Sequence, residues 1–336
     1  MKNKKLLSVI AALAVLVIGY LGITGLTGQD GEQTASEKSE TVAIGVLQFV
    51  THESLDEIYR GIEAGLAEGG YAKDSNLTIN FMNAEADQNQ IQKMSEKLVA
   101  DKNAALIGIA TPAAQGLANA TKDIPVIMGA VTDPVGANLV SDLKNPGGNI
   151  TGVSDATPVA DTVELIQEIS PDVKTIGALY SSSEDNSLSQ VEAFTEAAEK
   201  AGYTVVPYAV PSTNEIAATV NAMLPKVDAV WTPTDNTIAS AFPTVVSAAK
   251  EAKKPIYTSV ETMVEQGGIA SVTLSQYDLG VATGKMAAAI LDGADPATTP
   301  VEIFSEGTIV VNKKVAEELG LTIPDSLLEK AATVID

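Results

Sequence analysis

The chain has 336 residues, 43 of them Asp or Glu against 21 Lys or Arg, for a net charge of −22. That length suits two domains of ordinary size, and the acidic balance excludes nucleic acid as a partner, because phosphate binding needs a basic face. With no cysteine and His52 as the single histidine, disulfides, thiolate nucleophiles and cysteine zinc sites are excluded. A histidine metal cluster lacks material, and no cofactor is expected.

"MKNKK" is a basic n-region, and an apolar stretch follows it from Leu6 to Leu26. Residues 1–27 therefore read as a signal peptide or an N-terminal membrane anchor. The stretch exceeds the about 7–15 residues of a secretory core, and no A-x-A-like site closes it. Both features favour an uncleaved anchor with its lysine-rich end inside. The polar run at 28–40 reads as a flexible tether.

From Thr41 strands and helices alternate. "TVAIGVLQFV" is a buried strand, and Leu55, Ile58, Ile62 and Leu66 make one face of the helix that follows, which stops at Gly69-Gly70. "NLTINFMNA", "AALIGIA" and "IPVIMGAV" read as strands, with helices over "DQNQIQKMSEKLVADK" and "PAAQGLANAT" between them. The Gly-, Pro- and Asn-rich "TDPVGANLVSDLKNPGGNITGVSDA" reads as a loop and crossover. The alternation then restarts with strands at "VKTIGALY", "YTVVPYAV", "VDAVWTP" and "KPIYTSV", and one helix is expected across "NTIASAFPTVVSAAKEA". A second break is expected at "EQGGIASVTLSQYDLG", then a helix, the segment "VEIFSEGTIVVN" and a short last helix.

This pattern predicts an α/β protein of two doubly wound parallel-sheet lobes joined by a hinge. The first lobe is expected over 41–150 plus 274–303, the second over 151–273 plus 304–336. Ligands of such sheets bind beyond the carboxyl ends of the strands. Two strand-to-helix corners of one kind, Thr111-Pro112 and Thr232-Pro233, lie at such ends, one in each lobe. They are expected to face each other across a cleft.

The first corner offers Thr111 and the backbone of Ala113 and Ala114 at a helix start, an arrangement suited to a carboxylate. Thr111 as a plain helix cap is the alternative. The second corner brings Asp235 and Asn236, a carboxylate and an amide suited to an ammonium group, although both are also favoured caps. An anion corner opposite a cation corner fits a zwitterion such as a free amino acid. Gln48, Phe49, His52, Asp133, Asp155, Tyr180, Asn186, Ser187 and Glu261 fall at or just beyond other strand ends and complete the candidate set. Phe49, His52, Tyr180 and Trp231 are rings that a planar ligand side chain can stack on. Trp231 lies inside its strand, where core packing accounts for it.

The segments "VAIGVLQFVTHESLDEIYRGIEAGL", "ATPAAQ", "VTDPVGANLV", "GGNITGVSD", "LYSSSEDNS", "PTDNTI" and "YDLGVATGKMAAAIL" resemble the ABC-transporter substrate-binding proteins of the tryptophan/tyrosine type, from Thr41 to the C-terminus. The resemblance implies a type I periplasmic-binding-protein-like fold with three interlobe crossings. It also implies an aromatic amino acid ligand, tryptophan before tyrosine or phenylalanine, delivered to a membrane permease and a cytoplasmic ATPase. A non-enzymatic monomer at the cell surface is expected. Many Gram-positive members are tethered through a lipidated cysteine, and this chain has none. A surface sensor of the same fold, signalling closure to a partner, is the alternative reading. An enzyme would have to work through a carboxylate pair such as Asp133 with Asp235.

Overall fold

The computed structural model describes residues 41–336; the leader and tether expected at 1–27 and 28–40 lie outside them. The chain begins with β1 (Val42–Gln48), α1 (Glu53–Glu68), β2 (Leu77–Asn83), α2 (Gln88–Ala100), β3 (Ala105–Ile109), α3 (Thr111–Ala120), β4 (Val126–Gly129) and β5 (Ile150–Asp155). It continues with α4 (Val159–Ile169), β6 (Thr175–Ser181), α5 (Asp185–Lys200), β7 (Thr204–Val210), α6 (Ile216–Met223), β8 (Ala229–Trp231), α7 (Asn236–Ser240), α8 (Phe242–Ala252), β9 (Ile256–Thr258), α9 (Glu261–Glu265) and β10 (Ala270–Thr273). The last part holds α10 (Gln276–Leu291), β11 (Glu302–Phe304), β12 (Thr308–Asn312), α11 (Lys313–Leu319), α12 (Asp325–Lys330) and β13 (Thr333–Ile335).

Two sheets result, in the strand orders β11-β5-β4-β3-β1-β2 and β13-β12-β10-β9-β8-β6-β7. Every pairing is parallel except that of β10 with β12. Central strands such as β3 are buried along their whole length, because helices cover both faces of a parallel sheet. This explains the unbroken apolar "ALIGI". On α1 the residues Leu55, Ile58, Ile62 and Leu66 are all buried, as their helical spacing predicts.

The chain crosses between the sheets three times, at 156–158, 274–275 and 305–307. The crossings lie side by side: a Cβ on Gly307 would stand 2.5 Å from Val272 Cγ1 and 3.1 Å from Pro158 Cγ. After the second crossing α10 returns to the first lobe and packs on α1 with almost no side chains between them. A Cβ on Gly280 would come within 2.1 Å of the Ile58 carbonyl, and one on Gly65 within 2.1 Å of the Val281 carbonyl.

Five expectations change. The first crossing comes later than residue 150, because β5 pairs in parallel with β4 and belongs to the first sheet; its Thr, Gly and Ser residues disguise a buried strand. β11 likewise runs to Phe304, paired with β5. The expected break at 265–280 contains β10, a fully buried central strand of the second sheet, and the first turn of α10. The single helix expected across 236–252 is divided at Ala241 into α7 and α8, with Pro243 in the first turn of α8, where its missing N–H costs nothing. The C-terminal segment forms two short helices and an edge strand rather than one helix. Among the described residues no helix is long and apolar enough to cross a membrane.

Candidate functional site

Both Thr-Pro corners open onto one cavity between the lobes, beyond the carboxyl ends of the two sheets. Counted together with its opening to solvent, the space not filled by atoms there is about 410 Å³. The first lobe contributes His52, Ser54, Leu55, Ile58, Ala110, Thr111, Ala130, Thr132 and Asp155, and the second Asn186, Thr234, Asp235, Asn236, Ala239 and Val260. Gln276, just past the second crossing, closes the ring. Wider hollows open on the outer surfaces, beside α2 and α3 and beside α8 and α11. Neither collects buried polar atoms without a partner, whereas the interlobe cavity does.

In the first lobe the chain turns sharply at the ends of β3 and β4. Ala110 adopts φ 73°, ψ 158° and Ala130 φ 57°, conformations that cost about 1–3 kcal/mol in a residue with a Cβ. The turn at Ala110 is held by its N–H, which donates to the Gly129 carbonyl. It aims Thr111 into the cavity. Thr111 is not a cap: it is the first residue of α3, and its buried Oγ1 has no partner. Asp155, at the end of β5, is buried as well, and its Oδ1 has no partner.

In the second lobe Asp235 caps α7. Its Oδ1 accepts from the Ile238 N–H at 2.8 Å and its Oδ2 from the Ser181 N–H. Both oxygens are thus committed to backbone. Behind it the buried Glu184 accepts from the Asn236 N–H and Nδ2, and from the Thr237 N–H and Oγ1. Because Asn236 Nδ2 donates to Glu184, its Oδ1 faces the other lobe and accepts from His52 Nε2 at 3.1 Å. Asn186 donates Nδ2 to the Thr234 carbonyl at 2.9 Å, which leaves its buried Oδ1 without a partner at the cavity.

The lobes are drawn together by four side-chain bonds. Besides His52 with Asn236, Ser54 Oγ meets Thr262 Oγ1 at 2.7 Å, Gln115 Nε2 donates to Asp185 Oδ2 at 2.8 Å, and Ser189 Oγ donates to Asp133 Oδ2 at 3.2 Å.

Burial pushes the Asp155 carboxyl up to about 7, with the Thr132 hydroxyl opposing the shift. Burial, and then the neighbouring Glu184 carboxylate, hold Asp235 well above the usual carboxylate range, against the N–H groups it accepts from. Burial also lowers the pKa of His52, opposed by its bond to Asn236 and by Asp56. A neutral imidazole with its proton on Nε2 satisfies Asn236 Oδ1.

Of the residues singled out from sequence, His52, Thr111, Asp155, Asn186, Asp235 and Asn236 line the cavity. The others do not. Gln48 is turned to the Val50 carbonyl and Asp56, and Phe49 is wholly inside the first core. Ala113 and Ala114 lie on the face of α3 that packs on β3, where a Cβ on Gly108 would come 2.6 Å from the Ala114 backbone, and the Ala114 N–H is taken by the Ala110 carbonyl. Asp133 caps the Gly136 N–H, Tyr180 packs on the second core, Ser187 is buried beside Asn186, and the Glu261 N–H donates to Thr273. Trp231 stacks on Phe194 at 3.9 Å, a core contact. Among the described residues His52 is therefore the only ring on the cavity wall. Sequence reasoning missed the aliphatic wall of Leu55, Ile58, Ala130, Ala239 and Val260, and also Ser54, Ala110, Thr132, Thr234, Gln276 and the buried Glu184. Ala130 and Thr132 were legible as the end of β4, but Glu184 in a Ser-rich turn gives no sign of burial.

Comparison with known proteins agrees with the fold. The fold is type I periplasmic-binding-protein-like. A domain of Streptococcus pneumoniae solved in complex with L-Trp is 64% identical, covering 88% of this chain and 100% of that one, with a TM-score of 0.87. The tyrosine-binding protein of Clostridioides difficile is 38% identical over 289 residues, 86% of this chain and 83% of its own length. A ligand-free, open substrate-binding protein with adhesive properties from Clostridium difficile is 36% identical, covering 88% of this chain and 99% of that one, with a TM-score of 0.66. The pattern of the ABC transporter substrate binding protein family matches residues 43–335, and the chain belongs to that family.

Proposed function

We propose that the chain is the extracytoplasmic solute-binding component of an ABC importer, holding a free aromatic amino acid in the interlobe cavity. Tryptophan is the favoured ligand, followed by tyrosine and phenylalanine. The protein delivers it as a monomer, without catalysis, to a permease served by a cytoplasmic ATPase. The observation that carries this reading is the convergence of three unpartnered buried atoms, Asp155 Oδ1, Asn186 Oδ1 and Thr111 Oγ1, on a cavity with an aliphatic wall. The two acceptors suit an ammonium group, and the hydroxyl at the start of α3 suits a carboxylate. The flat apolar side chain then lies against Leu55, Ile58, Ala130 and Val260, with the His52 ring at the edge.

Asp155 takes the ammonium role expected of Asp235, whose oxygens are occupied by backbone. The ligand named for the Streptococcus pneumoniae relative supports tryptophan, and that of the Clostridioides difficile relative keeps tyrosine next. Ligand contacts to both lobes select a closed state. The four interlobe bonds support that reading, as does the higher TM-score against the L-Trp complex than against the open, ligand-free relative.

Calorimetry of the full-length chain with the three aromatic amino acids tests the proposal: tryptophan binds, and Asp155→Asn weakens it by about thirtyfold or more, the loss expected for a buried charged partner. Binding of a sugar, with silence for all three amino acids, refutes it. The long apolar stretch at Leu6 to Leu26 supports retention at the membrane by an uncleaved anchor. Mass spectrometry of membrane fractions detects peptides from that stretch if so, and a mature form starting near Gly28 rules it out.

A further inference from the structure

The charge balance of the cavity wall is one-sided. Asp155 and Asp235 line it, Glu184 lies directly behind Asn236, and no lysine or arginine is among the lining residues. The unspent hydrogen-bonding capacity is also unequal. Asp155 Oδ1 and Asn186 Oδ1 are free acceptors, buried and aimed into the space. On the donor side Asn236 Nδ2 is spent on Glu184, Asn186 Nδ2 on Thr234, and Gln276 Nε2 on Leu274. Among the described residues the Thr111 hydroxyl is the one buried side-chain donor left without a partner at the wall. A cation entering this cavity therefore finds two acceptors, one of them a carboxylate that no protein group has neutralised. A carboxylate finds a hydroxyl, a helix start and the field of buried acids.

From this we infer that the site recognises the ammonium group and the apolar side chain of its ligand, and accepts primary aromatic amines that lack the carboxylate. This rests on the reading of the cavity as an aromatic amino acid site and extends its ligand class to arylethylamines. Removing the ligand carboxylate loses a few hydrogen bonds to neutral groups but also removes its repulsion by the acidic wall. Removing the ammonium leaves Asp155 buried and uncompensated and adds an unpaired negative charge.

The test is competitive calorimetry on the full-length chain with L-tryptophan, tryptamine and 3-indolepropionate, which share one ring system and differ in charged groups. Tryptamine is expected to bind within about tenfold of L-tryptophan, the scale of one or two lost hydrogen bonds. 3-Indolepropionate is expected to bind at least about a hundredfold more weakly. Asp155→Asn abolishes the preference for tryptamine over 3-indolepropionate; if that variant does not fold, the three-ligand series on the native chain still decides. If L-tryptophan binds and tryptamine does not, or if 3-indolepropionate binds better than tryptamine, the inference is overturned and the amino acid reading stands. Tryptamine binding with no response to any aromatic amino acid overturns that reading and upholds the inference. Silence for all of these ligands overturns both.

Discussion

Asp155 is a carboxylate at the end of a buried strand with one oxygen unpartnered, and burial has raised its pKa to about 7. On the proposed reading an ammonium ligand is expected to bind its ionised form and pull that pKa down, so that binding releases protons near neutrality and weakens as pH falls below about 7. Calorimetry in buffers of different ionisation enthalpy reads the release directly, and Asp155→Asn removes it. The free protein responds in the opposite sense. Its folded-state pKa lies above the unfolded value of about 3.9, so the native state holds the extra proton between those values and stability falls as pH rises from about 4 to 7. Asp235, raised in the same direction, adds to that slope. Ala110 offers a second prediction at this scale. Its φ of 73° and ψ of 158° belong to a region that glycine occupies freely. Ala110→Gly is expected to stabilise the fold by about 1 kcal/mol, after allowing for glycine's greater freedom in the unfolded chain. Denaturant titration measures this, and a loss of stability would show that the turn carries no strain.

The pairing of α1 with α10 fastens the returning segment to the first lobe. Gly61, Gly65, Gly280 and Gly284 let the two backbones touch, and at Gly280 a methyl group meets the Ile58 carbonyl and the Gly61 backbone. Backbone cannot rotate away as a flexible side chain does. Gly280→Ala is expected to cost about 1–3 kcal/mol, the usual penalty of overpacking, seen as a lower melting temperature. Because α10 begins at Gln276 on the cavity wall, the same substitution is expected to shift ligand affinity. A variant as stable as the parent would mean that the helices slide apart without cost. The apolar face of α1 was legible from its spacing, and a helix over "LGVATGKMAAAILDG" was expected, but that its glycines seat it against α1 shows only when the two helices are laid together.

Closure belongs to the whole molecule. His52 and Ser54 of the first lobe reach Asn236 and Thr262 of the second, and Glu184 orients the Asn236 amide so that its oxygen faces His52. These bonds exist only while the lobes are together. His52→Ala is therefore expected to leave the melting temperature of the free protein nearly unchanged, to weaken ligand binding by about threefold to tenfold, as the loss of one hydrogen bond implies, and to do so through faster release. Stopped-flow fluorescence follows the release rate, and a slower association with unchanged release would mean that His52 guides entry instead.

Period and composition alone determined the two α/β lobes, the strand ends that line the cavity and the two facing corners, because these follow from local hydrophobic spacing and turn chemistry. Tertiary structure decided which polar residues are free to act. Asp155 and Asp235 read alike as acidic residues at strand ends. Only packing shows that one spends both oxygens on backbone N–H groups while the other is left buried with an oxygen unpaired. Phe49 and Tyr180 likewise read as candidate stacking rings, and their strands turn them into the cores. Hydrogen-bond partners and strand facing depend on residues far apart in the chain, and no local pattern encodes them.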